Sequence, residues 1–165
     1  MTTQTETETF IAPGAMLEHW EGHRRLTRRV LGAYPEDKLF SFQPAPPMRS
    51  FGVLILEIDG MVAPTLNGLA NGAWEQPDWA AMKAQAEPSK AELLELWDET
   101  SEVLHDHWSQ IPASTFQKSH TAFGQWEMLG NGLILYLIDN EVHHRAQGYV
   151  YLRLLKIEPP PFYER

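Results

Sequence analysis

Four stretches of this chain carry apolar residues at three- and four-residue steps, and each is cut off by proline or glycine. That spacing is the signature of amphipathic helices that must bury one face against another element. The first runs from about Pro13 to Gly32, with Met16, Leu17, Trp20, Thr27, Val30 and Leu31 on its stripe. Proline suits a first helical turn, and Tyr34-Pro35 marks the stop. Residues 35–48 hold Pro35, Pro44, Pro46 and Pro47 and read as loop. Ser50 is placed to cap a second helix from Phe51 to about Asn67, with Leu54, Ile55, Ile58, Met61 and Val62 apolar. Residues 70–88 read as a polar linker with Trp74, Pro77, Trp79 and Pro88, the tryptophans packing under it. Ser89 and Glu92 form a capping box, the clearest start signal in the chain. Leu93, Leu94, Leu96, Trp97, Thr100, Leu104 and Trp108 follow at helical spacing, with Pro112 beyond the end. Residues 110–125 read as loop. The last helix runs from about Trp126 or Leu129 to Leu155, with Leu133, Leu137, Asn140, His144, Gln147, Tyr151 and Leu154 along one stripe. No repeat and no convincing strand alternation is present. The pattern predicts an all-α four-helix bundle with long connecting loops. Residues 1–12 are expected to form a disordered tail and residues 13–165 a single domain.

Composition narrows the chemistry. With 165 residues and 43% apolar content, a packed core is expected. There is no cysteine, which excludes disulfides, thiolate metal sites and a cysteine nucleophile. A metal would have to use His, Asp, Glu or Asn. The net charge of −9 argues against general nucleic-acid binding, since phosphates need a basic face. The Thr- and Glu-rich start, Met1 to Thr9, lacks the basic and apolar regions of a signal peptide. No apolar run approaches the roughly 20 residues that cross a membrane. By elimination the expectation is a cytoplasmic protein without membrane partners. Serines lie in no nucleophile elbow, and no Gly-rich phosphate loop is present.

One stretch is too polar for a core helix: Asp139-Asn140-Glu141-Val142-His143-His144-Arg145-Ala146-Gln147. Buried polar groups cost free energy unless paired, so a metal, a water network or facing side chains must satisfy them. Asn140 and His144 are four apart and share a helix face, the spacing by which one helix offers two groups to one ion. His143 points about 100° away.

These residues carry a family resemblance. Arg49-Ser50-Phe51-Gly52-Val53-Leu54-Ile55-Leu56-Glu57 is similar to a motif of the form RSFGxLxxH, and Asn140 to Gln147 is similar to HExHHRGQ. Both belong to the DinB-like (YfiT-type) metalloenzyme superfamily, a four-helix bundle with a three-histidine metal site. The resemblance covers nearly the whole chain from Pro13 on, including helix order and the proline-rich end. It implies a metal site at Glu57, Asn140 and His144, with only His144 keeping the family's histidine. Glu57 and Asn140 replace the other two, and Ala146 replaces a glycine. A three-His site suits zinc, nickel or iron, and oxygen donors in place of two imidazoles weaken such a site.

Two readings follow. In the first, Glu57, Asn140 and His144 form a polar network without metal, and the chain acts as a small-molecule binder or a homodimeric bundle. In the second, a weakly bound divalent metal (zinc, nickel or other) supports a transferase or hydrolase, thiol-dependent in some relatives, with Glu141 or His143 in proton transfer. The expectation favours the first, because the residues that would carry the enzyme reading are the ones that changed. His19 and His23 also sit four apart, but read as a solvated helix edge, with His23 leaning toward His144 as the less favoured alternative. Arg24, Arg25, Arg28 and Arg29 read as a solvated face paired with carboxylates such as Glu18 and Glu21. His105 and His107 read as surface residues.

Overall fold

The computed structural model describes residues 11–76, 80 and 87–165. The expected tail falls almost entirely outside that range, as do Pro77 and Trp79. Among the described residues four helices form the bundle: α1 Pro13–Ala33, α2 Phe51–Asn71, α3 Lys90–Trp108 and α4 Gly130–Leu154. The Ser89–Glu92 capping box starts α3 as expected, with the Ser89 hydroxyl accepting from the Glu92 N–H and the Glu92 carboxylate accepting from Ser89. Ser50 stands at the N-cap of α2, but its hydroxyl makes no capping hydrogen bond.

One helix boundary differs from the sequence reading, and a hairpin precedes the last helix. Helix α2 continues through Pro64 to Asn71 and ends at Gly72, whose φ of 79° closes the last turn. Burial of Thr65, Leu66, Gly68 and Leu69 offsets the hydrogen bond the proline removes. The Trp74 ring lies so close over Gly68 that a Cβ there would meet it at 2.2 Å, so Trp74 packs under the linker. Helix α4 begins at Gly130 with Leu129 at its N-cap, the later of the two expected starts, because Trp126–Leu129 pairs with Ser119–Ala122 in an antiparallel hairpin, β2 with β1. Strands of four residues are too short for a period-two pattern to stand out. The α2 helix is also long and apolar enough to span a bilayer by length and composition, contrary to the expectation that no such run exists. Half of that stretch is buried in the bundle, and it carries Glu57 and Asp59.

The apolar core falls into two clusters. One lies toward the hairpin and includes Trp20, Val62, Leu66, Leu104, Trp108, Phe116 and Ile134. The other lies at the opposite end and includes Val30, Tyr34, Phe51, Ile55, Trp97 and Tyr151. Close approach of Phe51 to Gly148, where a Cβ would sit 2.3 Å from the ring, locks the start of α2 onto α4. Between the clusters every helix contributes buried polar groups: Arg24 and Thr27 from α1, Asp59 from α2, Thr100 from α3, and Glu141, His144 and Arg145 from α4.

Arg24 therefore does not belong to a solvated face. It is 2% exposed, stacks 3.7 Å over the Trp97 ring, and donates to Asp59 at 2.9 Å, Ser101 at 2.7 Å and the Trp97 carbonyl at 2.8 Å. Thr100 donates to the other Asp59 oxygen at 2.7 Å. Its neighbours pair outward, but not with Glu18: Arg28 binds Asp98 and Arg29 binds Glu164. Glu21 pairs instead with exposed His105. Removing one partner of a buried ion pair strands the other charge, at a cost of about 3–5 kcal/mol, whereas apolar replacement of both costs far less. We expect Asp59→Ala to destabilise by that amount and Arg24→Met/Asp59→Leu by clearly less. Urea titration of the two variants checks this; a smaller loss from Asp59→Ala than from the double variant would contradict it.

Candidate functional site

Helices α2 and α4 face each other antiparallel, so positions four apart on α2 meet positions three or four apart on α4 in reverse order. Glu57 Oε1 lies 3.1 Å from His144 Nε2. One turn along, the Asn140 side-chain amide points at the Met61 sulfur, 3.7 Å away. A further turn along, Thr65 and Leu137 line an apolar pocket of about 190 Å³ with Met61, Leu133, Tyr136 and, from the hairpin, Phe123 and Trp126. The candidate site is thus a groove, polar at the Glu57 end and apolar at the hairpin end.

The polar end has a third member. Arg49, just before α2, donates its guanidinium to Glu57 Oε2. Burial works to raise the Glu57 carboxyl, but hydrogen bonds from Arg49 and His144 outweigh it and hold the group below its ordinary range. Burial lowers His144, and Arg49 and His143 add to this, against the pull of Glu57. Its ring is 6% exposed. His144 is therefore neutral near pH 7. A carboxylate only accepts, so the neutral ring donates from Nε2 to Glu57 and leaves Nδ1 as acceptor. Gln147 lies 3.4 Å from that nitrogen and 2.9 Å from His143 Nε2.

This arrangement tests the fit of a metal. Asn140 hydrogen-bonds to neither Glu57 nor His144 among the described residues and faces a thioether. Glu57 spends one oxygen on a guanidinium and the other on an imidazole N–H. The Nε2 atom aimed at Glu57 carries a proton, whereas a ligating imidazole nitrogen must be bare. Among the described residues no three His, Asp or Glu side chains converge on one point. The donor set does not fit a three-histidine type of centre: Arg49 already places positive charge against the carboxylate.

The other named residues lie elsewhere. His143 is exposed and pairs with Gln147. Glu141 is 0% exposed and turns toward α1, where it accepts from Trp20 at 3.2 Å and from Thr27 at 2.5 Å. Burial pushes its carboxyl up, against the pull of Arg24, Thr27, Arg145 and Trp20. Arg145 donates to Thr27 and to His23 Nδ1, each at 2.9 Å. His23 is therefore buried, not solvated, and leans on Arg145 rather than on His144. Nothing in the sequence marks Arg49 for this role, because it precedes the first turn of α2 and the loop, not helical spacing, sets its direction.

A four-helix bundle with a carboxylate–histidine pair between α2 and α4 defines the structural class. The DinB family model matches residues 1–165, and the chain belongs to the DinB family. A DinB-like protein (YjoA) of Bacillus subtilis superposes with a TM-score of 0.70 at 20% identity, over 91% of this chain and 97% of that one. A DinB-like protein of Bacillus cereus gives 0.72 at 18% identity, with the same coverage of 91% and 97%. At these identities the likeness is one of fold. No curated protein matches the chain.

The buried His23 has a measurable consequence. Burial first, then Arg145, Arg165 and His19, lower it to about 3 from 6.5. Between those values the unfolded chain takes up a proton that the folded chain refuses, so this residue's contribution falls as pH falls from 6.5. The slope approaches about 1.4 kcal/mol per pH unit. We expect the advantage of wild type over His23→Gln to shrink steadily from pH 7 to pH 4 in urea titrations. A difference independent of pH would contradict a neutral buried ring.

Proposed function

We propose that this chain is a small-molecule-binding bundle that works without the three-histidine metal chemistry of its superfamily. The observation that carries the reading is the Arg49 guanidinium against the Glu57 carboxylate, whose second oxygen accepts from His144. That chain of hydrogen bonds meets the polar demands of the α2–α4 face from within. It leaves the adjacent apolar pocket as the place for a ligand. Such sites pair an apolar cavity with a few fixed polar groups that orient what enters. At about 190 Å³ the pocket suits a compact apolar moiety, with Asn140 one helical turn beyond Leu137 for a polar substituent.

Elemental analysis of protein purified without added metal tests the reading directly. We expect zinc and nickel far below stoichiometric in wild type. Glu57→His/Asn140→His is expected to gain zinc, because it restores three imidazoles across α2 and α4 and removes the carboxylate that holds Arg49. Stoichiometric zinc or nickel in wild type would overturn the metal-free reading. Failure of the double variant to gain metal would show that these three positions do not share one site.

A further inference from the structure

A cleft of about 740 Å³ lies on the face of α4 turned away from the Glu57–His144 groove. The groove uses Asn140, His144 and Gln147, whereas the cavity uses Val142, Arg145, Tyr149 and Arg153, about half a helical turn around. Its far wall is the C-terminal segment, with Pro159, Pro160 and Pro161 and the exposed rings of Phe162 and Tyr163. That segment is tied at both ends. The Ile157 N–H donates to the Leu152 carbonyl, and Arg29 of α1 holds Glu164.

The charge inside is opposite to that of the molecule. The chain carries a net −9, yet Arg145, Arg153 and Arg165 line this cleft, with Glu158 as the carboxylate on its wall. The cations are crowded: burial lowers Arg145, and the charge of Arg165 adds to that. Arg145 spends its donors on His23 and Thr27, with Glu141 at 3.6 Å. Arg153 has no carboxylate partner among the described residues, and its guanidinium lies 5.8 Å over the Tyr149 ring. The Tyr149 hydroxyl is shielded from solvent and has no hydrogen-bond partner among the described residues. Arg145, Arg29 and Arg153 all act on that hydroxyl electrostatically. An unpaired buried hydroxyl beside guanidiniums lacks an acceptor, and an anion supplies one.

We infer that this cleft binds a small organic anion with an apolar body, its charged head toward Arg153 and Tyr149 and its body against Val150 and Phe162. Both of these apolar side chains are exposed, at 54% and 67%, and an apolar body would cover them. The site is independent of the α2–α4 groove and does not rest on the reading proposed for it.

The test uses the full chain and two probes that differ only in charge. These are 1-anilinonaphthalene-8-sulfonate and its uncharged parent N-phenyl-1-naphthylamine, both followed by fluorescence and calorimetry. A charge-assisted hydrogen bond is worth about 1.5–3 kcal/mol, so the sulfonate is expected to bind about tenfold or more tighter than the uncharged parent. Arg153→Gln is expected to lose most of that preference, Arg153→Lys to keep much of it, and Tyr149→Phe to weaken sulfonate binding several-fold. Leu137→Trp, which fills the apolar pocket of the other site, is expected to leave sulfonate binding unchanged. Arg153 is exposed, so its variants are expected to match wild type in circular dichroism. Equal binding of the two probes, no sulfonate binding, or loss in Leu137→Trp but not in Arg153→Gln would each overturn the inference.

Discussion

A helix that crosses the middle of a bundle cannot carry buried polar side chains unless its neighbours answer each of them, and α4 carries three: Glu141, His144 and Arg145. The placement of α1 and α2 about α4 follows from that constraint. Helix α1 answers Glu141 with Trp20 and Thr27, and answers Arg145 with Thr27 and His23. Helix α2 answers His144 with Glu57. The two sets leave α4 in different directions, so one polar stretch in sequence becomes two separate networks. The Arg24–Asp59–Thr100 cluster extends the layer to α3. Apolar contacts at either end supply cohesion, and the polar layer between them sets the register, because a shift of one turn would strand charges in the core.

The α2–α4 network bears on function through its charge balance. A metal centre holds carboxylates and imidazoles by placing a cation among them. Here Arg49 brings positive charge to Glu57 from one side, and a neutral His144 donates from the other. The facing sides of α2 and α4 thus present a hydrogen-bonded chain and an amide. The fold is shared with the DinB-like structures, while the pair itself is set by Arg49, Glu57 and His144.

Local signals in the sequence were legible where the physics is local. The Ser89–Glu92 box, the stripes of α1 and α3, and the four-residue spacing of Asn140 and His144 each depend on neighbours within a turn or two. The Glu57–His144 pairing came from family resemblance, not from spacing, since the two lie 87 positions apart. What was not legible depends on partners distant in the chain. Arg24 looks like one of four surface arginines, and only the arrival of Asp59, Trp97 and Ser101 turns it inward. Glu141 and His143 read as neighbours of one site, yet the helix turns Glu141 into α1 and His143 into solvent. The extension of α2 past Pro64 reflects tertiary burial overriding a local breaker, and the short hairpin has too few residues for its alternation to register.

The proposed metal-free site requires His144 to be a neutral imidazole donating from Nε2 to a carboxylate held by Arg49. Histidine-selective 15N labelling, with ring nitrogens read through two-bond couplings before and after addition of zinc, measures this directly. We expect a neutral ring protonated at Nε2 at pH 7, unchanged by equimolar zinc, and a shift of the proton balance when Arg49→Gln is introduced. A ring protonated at Nδ1, with Nε2 bare and shifting on addition of zinc, would contradict it.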